Sequence, residues 1–228
     1  MPLNAGVPQG SILGPLLFLI YVNDMTESLS SEIHQFSDDT NIVMTSSDPV
    51  SAIETINRDL NTLSQWAEQW RVTFNASKTY FMVISLKKQK PIYGPILLNN
   101  TTLKETNEIK SLGLTITNNL SWQSHIFNLI KKASIRLFIL NKYKYILPRS
   151  ALITIYLSLI RPILEYGDVI YDSAPLSTVQ PLENLQRQAA LACSGAYRHT
   201  KHQNLLNELG WEPLTTRRLH HKLIVFFK

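Results

Sequence analysis

The most constraining feature of the sequence is a pair of adjacent aspartates, Asp38 and Asp39, between two short apolar segments. Together they predict a β-hairpin over residues 32–45 with the two aspartates at its turn. Neighbouring negative charges repel each other and add nothing to the stability of a hairpin. One explanation is a divalent cation, because Mg²⁺ takes oxygen ligands and needs only one or two protein carboxylates beside substrate phosphates. The other is a solvated turn, where aspartate is a favoured residue.

A loop rich in glycine and proline lies upstream, over residues 6–11, with the sequence Gly-Val-Pro-Gln-Gly-Ser. Such a loop lets main-chain groups and the amide of Gln9 come close to a nucleotide or a template base. Ser11 can cap a helix predicted over residues 12–24, with Pro15 near its first turn. Alone, the loop is typical of a turn, so its functional meaning depends on the aspartate hairpin that follows.

The loop and the hairpin are the first of several short sequence motifs that follow one another in a fixed order along nearly the whole chain. The series is residues 6–18, Tyr21-Val22-Asn23-Asp24, Phe36-Ser37-Asp38-Asp39-Thr40, Trp66-Ala67-Glu68-Gln69-Trp70, residues 74–79, Leu112-Gly113-Leu114, Leu120-Ser121-Trp122, His125-Ile126, residues 161–166 and residues 182–187. It resembles reverse transcriptases of non-LTR (LINE-type, jockey-like) retrotransposons, beginning in the palm. Ser37 departs from the alanine usual in that family. Because serine is close to alanine in size, we expect the geometry of the turn to be kept.

The resemblance implies an RNA-directed DNA polymerase, in which a primer 3′-hydroxyl attacks the α-phosphate of a dNTP on an RNA template. Two metal ions stabilise the attacking and leaving oxygens. Asp38 would ligate metal directly, with Asp39 as a second or supporting carboxylate; the expected cofactor is Mg²⁺, with Mn²⁺ as a substitute. Lys78 matches a family lysine that assists the departing pyrophosphate, and the competing interpretation is a solvated lysine at a strand end.

The same resemblance implies binding residues on both sides of the aspartates. The pocket for the dNTP and the template would be lined by Pro8, Gln9, Gly10 and Ser11. Leu112 and Gly113 match the primer grip, a hairpin whose glycine lets the duplex backbone come close. We expect His125 to be structural, and we expect packing rather than base stacking from the four tryptophans, Trp66, Trp70, Trp122 and Trp211.

Composition and charge limit the class of protein. A single cysteine, Cys193, excludes an intrachain disulfide and a zinc cluster built on cysteines. The apolar run over residues 12–22 is interrupted by Gly14 and Pro15 and is too short to span a bilayer, so no membrane partner is expected. Residues 1–120 carry 8 Lys and Arg against 11 Asp and Glu, a net of −3, whereas residues 121–228 carry 14 against 6, a net of +8. The basic half suggests a surface that faces phosphates.

The pattern of apolar residues predicts an α+β fold: a polymerase-type palm with an antiparallel sheet and packed helices, followed by an all-helical thumb. We place the partial palm at residues 1–120 and the thumb with the connection after it at residues 121–228. A long helix follows Asp48, and strands are predicted at residues 72–74, 80–86, 96–98 and 112–117 with a turn at Asn99-Asn100. Helices are predicted after Trp122, over residues 148–161, 179–193 and 216–227. By resemblance to the thumb, phosphates would be contacted by Lys131, Lys132 and Arg136.

Polymerase palms of this kind use a third carboxylate on a strand upstream of the loop at residues 6–11, and the sequence begins five residues before that loop. We therefore expect this chain alone to have little or no polymerase activity, with the fingers and the endonuclease in an upstream part of a retrotransposon polyprotein. One alternative is a catalytically dead remnant that only binds nucleic acid; another, made improbable by the ordered segments, is an unrelated Mg²⁺-dependent phosphotransferase. The family acts in the nucleus, which is the expected localisation.

Overall fold

Two units follow one another along the chain, Met1–Thr106 and Asn107–Lys228. The computed structural model describes residues 10–85, 87 and 91–227. The division falls before the predicted boundary at residue 120, because the hairpin over residues 108–117 packs on the helix that follows it. From residue 121 onward the described residues form helices and connecting loops. The α+β class is confirmed in this mixture of helices and small sheets, and the names palm and thumb stay predictions.

The first unit begins with helix α1 at Gly14–Val22, whose side chains are apolar on every side and largely exposed. Hairpin β1 (Glu32–Phe36) and β2 (Asp39–Val43) follows in antiparallel register, with Phe36 opposite Asp39. The predicted hairpin is thus confirmed. Its two-residue turn is Ser37 and Asp38.

Helix α2 (Pro49–Trp70) provides the main packing face of the first unit. It begins because the side chain of Asp48 accepts hydrogen bonds from the N–H groups of Val50 and Ser51, as expected of an N-cap residue. Its apolar stripe buries leucine and isoleucine side chains against the segment around β4. This core consists of Met25, Ile53, Leu60, Leu63, Ile96, Leu98 and Leu103.

The strands of the first unit are shorter and more divided than predicted. Beyond β1–β2, β3 (Tyr80–Phe81) pairs in parallel with β6 (Lys104–Glu105), and β4 (Leu97–Leu98) pairs with β5 (Thr101–Thr102). Asn99 and Asn100 form the turn of β4–β5 with φ of 48° and 58°, which confirms the predicted turn. Residues 72–74 are not a strand. Phe74 instead packs against the core, and a 3₁₀ turn at Ala76–Lys78 follows, begun by the Asn75 side chain.

The second unit opens with hairpin β7 (Glu108–Ser111) and β8 (Leu114–Thr117), so the strand predicted at residues 112–117 begins later, after a turn at Leu112 and Gly113. Helix α3 (Gln123–Tyr143) carries the buried stripe Ile126, Leu129, Ala133, Leu137 and Leu140. It packs against helix α6 (Leu176–Ser194) around one core.

Helix α4 (Arg149–Ile155) runs into a π-helical segment at Tyr156–Ile160 and then into the short helix α5 (Arg161–Leu164). Because Pro162 has no N–H to donate, the regular α-helical hydrogen bonding is interrupted just before it, where the π-helical segment lies. Helix α7 (His202–Leu209), which the sequence did not predict, ends at Gly210, and helix α8 (Leu214–Phe226) follows. Across the described helices of both units, no stretch is both long and apolar enough to cross a membrane.

Candidate functional site

Asp38 and Asp39 lie at the tip of hairpin β1–β2, and both side chains are exposed. Ser37, the first residue of the two-residue turn, has a φ of 56°, in the left-handed region. A positive φ at this position is typical of the tight turns that match the twist of paired strands. The hairpin tip, with Asp38 in the turn and Asp39 at the start of β2, therefore presents two carboxylates to solvent on a short, hydrogen-bonded support.

A buried carboxylate holds the start of this hairpin. Asp59 of α2 is 1% exposed, and its oxygens accept hydrogen bonds from the N–H groups of Ser30, at 3.1 and 3.2 Å, and Ser31, at 2.8 Å. Ile42 of β2 packs against the core from the same hairpin. Sequence reasoning missed Asp59, although a charged residue next to Leu60 on an apolar helix stripe was a usable signal.

The donor set at the hairpin suits a hard divalent cation. Carboxylate oxygens are the ligands that Mg²⁺ and Mn²⁺ prefer, and Mg²⁺ keeps several waters and takes few protein ligands. Among the described residues, no group of three or more His, Cys, Asp or Glu side chains could hold a metal ion. Asp38 and Asp39 can thus supply part of a coordination shell that substrate oxygens would complete.

The other predicted residues of the first unit are partly outside the description. Pro8 and Gln9 lie outside the described residues. Gly10 is exposed with a φ of 82°. The Ser11 hydroxyl accepts a hydrogen bond from the N–H of Gly14 at 3.0 Å, but the N-cap residue of α1 is Leu13, so Ser11 is not the N-cap that the sequence predicted. Lys78 is exposed at the end of the 3₁₀ turn, and its role in pyrophosphate release stays a prediction.

Three of the four tryptophans pack as predicted. Trp66 donates to Asp24 at 3.0 Å and packs against the first core, and Trp122 packs against the second. Trp211 stacks on the buried Tyr156, with ring centroids 4.0 Å apart. The fourth, Trp70, is 38% exposed and lies edge-on to Tyr21.

The turn of hairpin β7–β8 is held from the segment after α5. Leu112 and Gly113 have φ of 47° and 81°. The Tyr166 hydroxyl donates a hydrogen bond to the Leu112 carbonyl. A Cβ on Gly113 would lie 3.0 Å from Cε1 and Oη of Tyr166, so a larger residue would strain the backbone angle and would also push the Tyr166 ring by a few tenths of an ångström.

His125 connects the same hairpin to α3. It is 1% exposed; its Nδ1 accepts a hydrogen bond from the N–H of Thr115 at 3.3 Å, and its Nε2 lies 3.4 Å from the Tyr166 carbonyl. This arrangement fits a neutral ring protonated on Nε2. Burial, and to a smaller extent the charge of Lys132, lowers the pKa of His125 below its usual value, against the opposing effect of the Tyr166 carbonyl. The structural interpretation of His125 is confirmed.

A groove of about 340 Å³ lies between this hairpin and α3. It brings together Gly113 of the predicted primer grip with Lys131 and Lys132, two of the predicted phosphate-binding residues. Lys110 of β7 also lines it and was not predicted, because an isolated lysine on a short strand gives no sequence signal. Arg136 is exposed one helical turn after Lys132 and is not among the lining residues.

A family model described as "Reverse transcriptase (RNA-dependent DNA polymerase)" matches residues 1–116, just over half of the chain. The chain belongs to the reverse transcriptase family. The RNA-directed DNA polymerase from mobile element jockey of Drosophila melanogaster is 29% identical over 208 residues, which are 86% of this chain and 22% of that protein. The probable RNA-directed DNA polymerase from transposon X-element of the same species is 28% identical over 215 residues, 90% of this chain and 23% of that protein.

A third relative, the probable RNA-directed DNA polymerase from transposon BS, is 27% identical over 204 residues, 83% of this chain and 22% of that protein. The chain thus spans less than a quarter of the length of the curated relatives it matches. No solved structure matches it significantly. The non-LTR retrotransposon resemblance is confirmed, and reverse transcriptases generally use divalent metal ions.

Proposed function

We propose that this chain is part of an RNA-directed DNA polymerase of a non-LTR retrotransposon, with nucleotidyl transfer at Asp38 and Asp39. The observation that carries the proposal is the hairpin that exposes two adjacent carboxylates in a chain of this family. In the reaction, the primer 3′-hydroxyl loses its proton to solvent and its oxygen forms a bond to the α-phosphorus of a dNTP. The bond from that phosphorus to the oxygen bridging to the β-phosphorus breaks, and pyrophosphate leaves.

Asp38 and Asp39 would hold Mg²⁺, which when bound activates the attacking hydroxyl and stabilises charge on the leaving oxygens. The exposed hairpin tip leaves room for substrate phosphates beside both carboxylates. Lys78, at the end of the 3₁₀ turn, would neutralise pyrophosphate as it departs, and Gly10 with Gln9 would face the dNTP and the template base.

The test is primer extension on an RNA template by the polyprotein that contains this chain, with Mg²⁺ or Mn²⁺. Because a metal ligand contributes several kcal/mol to the transition state, Asp38→Asn should reduce incorporation by about 100-fold or more. Glu54→Gln, which removes an exposed carboxylate from α2, is the matched control and should keep wild-type activity. Unchanged incorporation by Asp38→Asn would refute the assignment.

The basic groove of the second unit is proposed to bind the backbone of the primer–template duplex. Lys131 and Lys132 line it beside Gly113, and Arg136 extends the positive surface along α3. Each phosphate contact releases about one counterion, so log affinity falls with log salt by about 0.9 per contact. Replacing Lys131 and Lys132 with Ala should therefore weaken binding of every duplex sequence and lower the salt slope by about 2. An unchanged slope would count against this surface.

The remaining partner is the rest of a retrotransposon polyprotein, with fingers and endonuclease, acting in the nucleus. The proposal is supported by the greater length of the relatives and by α1, whose exposed residues include Leu16, Leu19 and Ile20. An exposed apolar surface of this kind marks an interaction site. Replacing Leu16 and Ile20 with Ser should lower the yield of folded polyprotein far more than that of this chain alone. Equal effects on both would contradict a covering role.

A further inference from the structure

The segment 161–166 and His125 belong to the series of family-like residues, yet neither has a role in nucleotidyl transfer as proposed. Both meet at one place in the structure, the turn of hairpin β7–β8. Tyr166 contacts the turn at Leu112 and Gly113, and His125 contacts β8 one residue beyond Leu114. We propose that Tyr166 and His125 are positioning residues that fix the Leu112–Gly113 turn for the primer strand. This rests on the proposed function, because it assumes that the turn contacts the primer.

Tyr166 fixes the turn at two points. Its hydroxyl donates to the Leu112 carbonyl, which orients the peptide between Leu112 and Gly113. Its ring fills the space over the Gly113 Cα, where a Cβ would come 3.0 Å from ring carbon Cε1. Both turn residues have positive φ, a conformation that a non-glycine residue such as Leu112 adopts only when its surroundings enforce it.

His125 fixes the base of the hairpin and Tyr166 together. The N–H of Thr115 donates to one ring nitrogen, and the other ring nitrogen donates to the Tyr166 carbonyl. The next residue, Gly167, has a φ of 71°, and a Cβ there would lie 2.5 Å from Cδ2 of Leu114. The chain after α5 is therefore packed directly on the hairpin, and the imidazole bridges the two.

The groove gives this rigidity a use. Gly113 lines it on the hairpin side together with Lys110 and Thr115, and Lys131 and Lys132 on α3 form part of the other side. A primer phosphate can contact the Leu112–Gly113 turn and the two lysines at the same time only if the distance between the turn and α3 stays fixed. The bonds through His125 and Tyr166 set that distance, since His125 itself is a residue of α3.

The test measures affinity of this chain for two primer–template duplexes that are identical except at the last linkage of the primer, which is a phosphodiester in one and an uncharged methylphosphonate in the other. The wild-type chain should bind the methylphosphonate duplex about tenfold more weakly than the phosphodiester duplex, because the uncharged linkage loses a charge-assisted contact. In Tyr166→Phe, which keeps the ring and loses the hydroxyl, the ratio of the two affinities should fall to about twofold to threefold. Tyr145→Phe, at a side chain 88% exposed in the same unit, is the control and should keep the wild-type ratio.

The His125 variants separate positioning from general stability. Asn can place an oxygen near the position of Nδ1 and accept from Thr115 but cannot reach the Tyr166 carbonyl, so His125→Asn should lower the wild-type ratio less than His125→Leu does. An undiminished ratio in Tyr166→Phe would overturn the inference while leaving the proposed function intact. Failure of the wild-type chain to bind either duplex would overturn the proposed function and the inference with it.

Discussion

Removing the carboxylate of Asp59 should loosen the hairpin that carries Asp38 and Asp39, without touching either aspartate. Asp59 is buried in α2 and accepts hydrogen bonds from the N–H groups of Ser30 and Ser31, immediately before β1. Sequence spacing gives no hint of these contacts, because 28 and 29 residues separate the partners.

The N–H groups of Ser30 and Ser31 lose different amounts of hydrogen-bond energy when the Asp59 carboxylate is removed. Ser31 is 9% exposed, so in Asp59→Ala its N–H is left without an acceptor in the interior. Ser30 is exposed, and water can replace much of its bond. Hydrogen bonds to charged groups contribute about 1.5–3 kcal/mol. Counting the bond of Ser31 in full and that of Ser30 in part, Asp59→Ala should lower the free energy of unfolding of the hairpin by about 2–4 kcal/mol. Asp59→Asn keeps one acceptor oxygen for Ser31 and should lose about 1 kcal/mol.

Hydrogen exchange followed by mass spectrometry is the suitable assay, because the two units need not unfold in one transition. In Asp59→Ala, amides of residues 30–45 should exchange about 30- to 1,000-fold faster than in the wild type. Amides of residues 108–117, in the other unit, should be unaffected. Glu54→Ala removes an exposed carboxylate from the same helix and serves as the control. Asp59→Asn exchanging as fast as Asp59→Ala would refute the acceptor role.

Three further outcomes follow from buried polar groups of the second unit. Burial lowers the pKa of His125, so below about pH 6.5 the unfolded chain binds more protons than the folded chain and the second unit should lose stability. Chemical denaturation between about pH 7.5 and 5.5 should show this loss, and the loss should be smaller in His125→Asn. Burial raises the pKa of the Cys193 thiol to about 12, so a thiol reagent should label it only on unfolding, and rapid labelling of the folded chain would contradict its burial. Glu183 accepts hydrogen bonds from the N–H groups of Leu214 and Thr215 at the start of α8, and Glu183→Ala should lower the free energy of unfolding by about 2 kcal/mol, more than Glu183→Gln.

Local sequence patterns predicted the features whose causes are local. The short apolar segments on either side of Asp38 and Asp39 predicted the hairpin, paired asparagines at 99 and 100 predicted a tight turn, and Asp48 predicted a helix start. In each case the residues that set the backbone conformation are neighbours in the chain. Helix α7 was missed because its eight residues are short for a periodic pattern.

The contacts that support the candidate site could not be predicted from the sequence, because they join residues that are far apart in the chain. Asp59 meets Ser31, and Tyr166 meets Leu112, 54 residues apart. The family resemblance included Tyr166 in one of its motifs but implied no role for it. Only its position over Gly113 indicates what a tyrosine at that point of the chain does.

Ser37, the one departure from the family at the aspartates, should matter for the turn through its backbone and not through its hydroxyl. At a φ of 56° any residue with a Cβ is strained by about 1–2 kcal/mol, and alanine and serine differ little in this respect. Ser37→Ala should therefore leave exchange of the β1–β2 amides within about twofold of wild type, while Ser37→Val, with a branched Cβ, should accelerate it by about tenfold or more. Equal acceleration by both substitutions would show that the hydroxyl holds the turn, and the expectation that serine keeps the family's geometry by size alone would then be wrong.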